Sequence, residues 1–218
     1  MPSNAYQRFC SKSLRDVQQL ISAHEELCGT GRGKKSGAHL TSSGVVLLCA
    51  GWEAYVEDVV QEAATKLVDR RKASSLPEQP WDLLDQHVRS YSTGLFDFAK
   101  NWKDVFRNAV KKRVVRFRGP RHVEVRDLVF DVVGHQGLIQ SWDQGESQKL
   151  DAFVEKRNQI AHGEDIPYVK KSDLENYIRT VSSIALATDN WICDQLKSSV
   201  GKRPWNKVSN QAPKKLAA

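Results

Sequence analysis

The sequence predicts an all-α fold, a bundle of long antiparallel helices with a less regular middle segment. Three observations point there. Apolar residues recur at three- and four-residue spacing in the first and last thirds. Those runs are bounded by helix start and stop residues. Hydrophobic residues make up 40% of 218, enough for one core without covalent staples.

The first helix is expected over 4–27, where Phe9, Leu14, Val17, Leu20 and Ile21 alternate with charges, and it stops at Cys28-Gly29. The stretch Gly29 to Gly37 (GTGRGKKSG) is a glycine-rich basic loop. Walker A needs Gly-x4-Gly-Lys-Ser/Thr after a strand, and this loop has neither the spacing nor the strand. A long helix follows, capped by Ser42 or Ser43 and running through Val45, Leu48, Trp52, Val56, Val59, Ala63 and Leu67 to about Arg71. At 1.5 Å per residue it would span about 45 Å, the length of a central element. Ser74 to Pro80 breaks it.

In the middle, Leu83-Leu84 and Leu95 to Val110 are expected to be helical. Arg113 to Val125 is β-branched, basic and interrupted by Gly119-Pro120, so a loop or short hairpin is expected, an irregular basic insertion over about 112–126. Asp127 to Val133 is one more helical piece. Ser147 to Ala161 forms a helix ending at His162-Gly163. Ser172-Asp173-Leu174-Glu175 is a capping box that opens the last long helix. One domain is expected over 1–198, with a basic, disordered tail over 199–218.

Lys plus Arg number 33 against 26 Asp plus Glu, a net charge of +7 that favours polyanionic partners. Cys10, Cys28, Cys49 and Cys193 form no C-x-x-C pair, which argues for free thiols in a reducing interior. No histidine pair has metal-binding spacing and no Gly-x-Ser-x-Gly elbow occurs, so no metal and no cofactor is expected. The longest apolar stretch, Val45 to Trp52, is too short to span a bilayer, and Met1 to Ser13 is polar. A cytoplasmic chain with no membrane partner is the expectation.

Chemistry concentrates in Arg157-Asn158-Gln159-Ile160-Ala161-His162-Gly163, an Arg-x4-His pattern at the end of an amphipathic helix. Asn158 and His162 are four apart and share a face, with Arg157 about 100° around. The helix C-terminus favours a protonated imidazole by roughly 0.3–1 kcal/mol at an exposed site. Such a set suits RNA cleavage. The imidazole can take the 2′-hydroxyl proton or protonate the departing 5′-oxygen, and the guanidinium matches phosphate oxygens. Asn158 can orient the ring or hold the sugar. By spacing alone the pattern is weak, since a helix-end histidine is usually a cap or a surface residue.

The wording is more specific than the spacing. Arg-Asn-x-Ile-Ala-His-Gly, preceded by a helix carrying Gly-Val-Val-Leu-Leu-Cys-Ala-Gly-Trp-Glu-Ala-Tyr-Val-Glu-Asp, resembles the HEPN superfamily, most nearly its RiboL-PSP type. The resemblance covers about 40–72 and 146–195 well and the middle poorly. It implies a HEPN-like bundle that forms a homodimer, so that two Arg-x4-His elements share a cleft. It also implies a metal-independent ribonuclease of a bacterial toxin–antitoxin or anti-phage defence system, with an antitoxin or defence protein as a further partner. Arg157, Asn158 and His162 carry over. Some related toxins place a tyrosine two residues after the histidine, where a partner enzyme attaches adenylate; Glu164 stands there, which speaks against that control.

Glu53 and Glu57 share a helix face, and Glu53 is a candidate to pair with Arg157 or tune His162, against the plainer account of two solvated carboxylates. Lys111, Lys112, Arg113, Arg116, Arg118 and Arg121 put six cations in eleven positions, with Phe117 among them. Such runs are usually solvated faces, but the interleaved ring suits an RNA backbone contact with base stacking. The rival reading is a non-catalytic HEPN-like module binding RNA or protein, with Arg157 and His162 merely finishing the helix.

Overall fold

The computed structural model describes residues 1–28, 37–69, 71–91, 95–163 and 168–208, with backbone alone at 91 and 95–100. Among them the chain is helical, without a strand. The helices are α1 (Asn4–Arg8), α2 (Arg15–Cys28), α3 (Ala38–Asp69), α4 (Glu78–Tyr91), α5 (Leu95–Val115), α6 (His122–Val133), α7 (Glu146–Ala161) and α8 (Lys171–Val200). A π-helical segment, Phe9–Leu14, joins α1 to α2.

Helix α3 is the axis of the fold. It packs against α1, the π segment, α2, α5, α6, α7 and α8. Val45, Leu48, Trp52, Tyr55, Val56, Val59 and Leu67 are buried along it, a spread too wide for one apolar stripe and suited to a helix surrounded by others. Phe106, Phe117, Phe153 and Leu174 close on it from the neighbouring elements. Close approach is set by small residues: a Cβ on Gly44 would stand 2.5 Å from the Leu174 side chain of α8.

Several boundaries differ from those expected. α3 begins at Ala38, so Ser42 and Ser43 lie a turn inside it; Gly37 O accepts from Leu40 N and Thr41 N, and Thr41 Oγ1 donates to Val169 O. The stretch 113–125 forms no hairpin. α5 runs on through Val115 and α6 starts at His122, which shrinks the irregular part to 116–121. Trp52 Nε1 donates to Pro120 O at 2.9 Å and Phe117 is buried, so this connection is pinned to the core. α8 is capped by Asp173, which accepts from Lys170 N–H, rather than by Ser172.

The segment expected to be a loose tail from 199 is packed through Val208. α8 continues to Val200, and Trp205 is 7% exposed with its Nε1–H donated to Asp189 O. Asn206 N donates to Met1 O, so the two terminal segments meet. A lone tryptophan in a basic stretch gave too little apolar signal. The glycine-rich loop over 29–36, Glu164 and the last ten positions lie outside the described residues. No described helix is long and apolar enough to cross a membrane.

Candidate functional site

Helix α7 carries the Arg-x4-His element on its last turn. Gly145, with φ +81, starts the helix, and His162 ends it as the cap residue, its N–H donated to Asn158 O at 2.9 Å. Leu150, Phe153 and Val154 bury the inner face against α3 and α8. That burial fixes which residues face out. Asp151, Glu155, Asn158 and His162 fall at i, i+4, i+7 and i+11, so they line one outward stripe. His162 is exposed, at the end where the helix dipole favours a cation.

Arg157 turns the other way, towards α3. It is half-buried, and Nη1 donates to Asn158 Oδ1 at 3.2 Å. Its Nε is buried with no acceptor among the described residues. Cys49 of α3 lies beside it. Burial pushes the Cys49 thiol up to about 11, Arg157 opposing the rise and Glu53 adding to it. That thiol stays protonated near neutral pH and is no nucleophile. Arg157, Cys49 and Glu53 are thus neighbours across the α3–α7 contact. Among the described residues, no hydrogen bond or ion pair joins Glu53 to Arg157 or to His162.

The basic run divides. Lys111, Arg116 and Arg118 are exposed, while Lys112, Arg113 and Arg116 line a polar groove of about 330 Å³ against α4. Arg113 pairs with Asp131 at 2.6 Å. Arg118 and Arg121 face α3 and α7. Arg121 pairs with Glu155, and Arg118 partly offsets Glu57, whose carboxyl is raised by burial, then by Glu53 and Asp58. Phe117, expected to stack on bases, is 2% exposed and belongs to the core. The ring sits where the chain leaves α5, and a single aromatic among cations carries no signal of which way it points.

One pair had no trace in the sequence. His122 Nδ1 lies 2.7 Å from Asp151 Oδ2, and His122 N donates to Asp151 Oδ1 at 3.0 Å. The partners are 29 positions apart, so only the fold brings them together. The acids of the α7 stripe above Asn158 are thereby paired with His122 and Arg121.

Beside the motif, Val46, Leu47, Ala50 and Ile160 line an open groove of about 450 Å³, with Leu47 37% exposed. Among the described residues, no three His, Cys, Asp or Glu side chains are placed to hold a metal.

Compared with known families, residues 11–194 match the family model described as RiboL-PSP-HEPN. The match spans the middle segment, where the wording of the sequence had offered little. No curated protein and no solved structure matches the chain.

Proposed function

Since this chain belongs to the RiboL-PSP-HEPN family, we propose that it is a metal-independent endoribonuclease whose reaction centre is Arg157, Asn158 and His162. The observation that carries the reading is the division of labour on the last turn of α7. An exposed imidazole stands at the helix end, and the Arg157 guanidinium, turned towards α3, donates to Asn158.

In this reading His162 moves the proton. As base it removes the 2′-hydroxyl proton, the 2′-oxygen attacks phosphorus, and the P–O5′ bond breaks; as acid it protonates the departing oxygen. Arg157 offers donors to the phosphorane oxygens, and its half-buried setting strengthens that attraction. One Arg-x4-His element supplies one imidazole, whereas the reaction needs a base and an acid. A second copy docked on the apolar groove beside Ile160 would bring the other, giving a homodimer with a shared cleft. A toxin or anti-phage role, with an antitoxin or defence partner in a bacterial cytoplasm, rests on the family resemblance.

Purified protein should cut RNA in the presence of EDTA, and His162→Ala should abolish cutting while leaving the helical circular dichroism intact. Cleavage by that variant at the parent rate would overturn the assignment. A binding module that lacks catalysis is the second reading, favoured by the internal Arg157–Asn158 hydrogen bond. It predicts RNA retention without turnover at any protein concentration.

A further inference from the structure

The structure holds a second pocket of mixed polar and apolar lining, distinct from the Arg-x4-His element. It has a volume of about 520 Å³ and lies between α6 and the turn after it. Asp151, which orients its histidine, is eleven residues before His162 on α7, roughly 16 Å along the helix.

His122 is set like a working imidazole. The Asp151 carboxylate can only accept, so it fixes the ring proton on Nδ1 and leaves Nε2 uncommitted among the described residues. A second bond from Asp151 Oδ1 to the His122 backbone N–H locks the ring's direction. Arg126 lines the same pocket, steadied by Asp127 through Nε and Nη2. Arg126 is the one Lys or Arg of the lining, and its partner Asp127 lines the pocket beside it. Phe130, half-buried, supplies a ring, and the amides of Gln136 and Gln140 add donors and acceptors along one rim. The volume suits one mononucleotide, within the roughly 300–1,000 Å³ of small-molecule sites.

We propose that this pocket binds a nucleoside phosphate, with His122 and Arg126 on the phosphate and Phe130, Gln136 and Gln140 on the base. The ligand is either a free mononucleotide or one nucleotide of a bound RNA chain. The proposal does not rest on the ribonuclease reading, because its test measures binding and never cleavage.

The test titrates the full chain carrying His162→Ala with the four ribonucleoside 5′-monophosphates, ribose 5-phosphate, inorganic phosphate and short oligoribonucleotides. Calorimetry reads affinity. A mononucleotide should bind at least tenfold more tightly than inorganic phosphate, and Arg126→Ala should weaken it about tenfold, as expected for loss of a charged hydrogen bond. Half of Arg126 is exposed, so its removal spares the fold. His122→Ala should act in the same direction, and Gln140→Ala should change the preference among bases. Saturation by mononucleotides identifies a free nucleotide as the ligand. Binding of oligonucleotides alone, weakened by Arg126→Ala, identifies a subsite for a longer RNA. The proposal is overturned if no nucleotide or oligonucleotide responds to Arg126→Ala by more than twofold, or if inorganic phosphate binds as well as any nucleotide.

Discussion

Gly51 of α3 and Ser13 of the π-helical segment touch so closely that a Cβ on Gly51 would stand 2.6 Å from Ser13 Cβ. Neither atom is the free end of a flexible side chain, so an added methyl must push the helices apart. Gly51→Ala should cost about 1–3 kcal/mol despite alanine's better helix propensity. Thermal unfolding should show a midpoint several degrees lower. An unchanged or raised midpoint would show that the two helices part here at little cost.

Arg157→Ala should reduce RNA cleavage ~10²–10³-fold, the loss expected when a preorganised transition-state donor goes. Arg157→Lys should recover little, because an ammonium lacks the planar fork that matches a phosphate. Single-turnover rates against a labelled RNA would decide. Equal rates for parent and alanine variant would remove Arg157 from the reaction centre.

Leu47→Asp sets a charge in the groove beside Ile160. If a second copy docks there, light scattering should report a monomer and cleavage should fall with it. A variant that remains dimeric and active would place the interface elsewhere.

Arg116 and Arg118 are exposed on the loop between α5 and α6, whereas Phe117 between them is buried. Alanine at either arginine should lower the salt dependence of RNA binding by about one unit of log–log slope. Phe117→Ala should instead destabilise the fold by about 3–5 kcal/mol. Measured together, salt titrations and urea midpoints separate an RNA contact from a core residue.

Asp189 is wholly buried and accepts a hydrogen bond from Ser3 Oγ, yet burial lifts its carboxyl to about 6 from an ordinary 3.8. The folded chain therefore holds this proton more tightly than the unfolded one. Between those two values stability should fall as pH rises, by ~2–3 kcal/mol from this group, and level off above them. Asp189→Asn should flatten that slope in urea midpoints taken from pH 4 to 7. A parent slope of opposite sign, unchanged in the variant, would contradict the assignment.

The long helices were legible because periodicity is a property of neighbours in sequence. Val45 to Leu67 and Leu150 to Ile160 announce their buried faces within a few turns. The motif residues were legible for the same reason, since Arg157, Asn158 and His162 share one helix end. Contacts between distant segments were not. The Asp151–His122 pair, Pro120 O on Trp52 and the return of Trp205 to α8 depend on how helices cross. The stretch around Arg113 to Val125 misled because β-branched residues favour strands only when a sheet partner exists, and here Val114 and Val125 join the helical core instead while Val115 and Val123 face solvent.

Helix α3 also sets when the molecule can finish forming. It leaves the ribosome before α7 and α8, which cover it and follow about a hundred residues later, roughly ten seconds at ordinary synthesis rates. During that interval the flank that α7 and α8 bury has no cover. The Arg-x4-His turn of α7 is made after α3 is complete, so a nascent chain stalled between the two holds the axis of the fold without that turn.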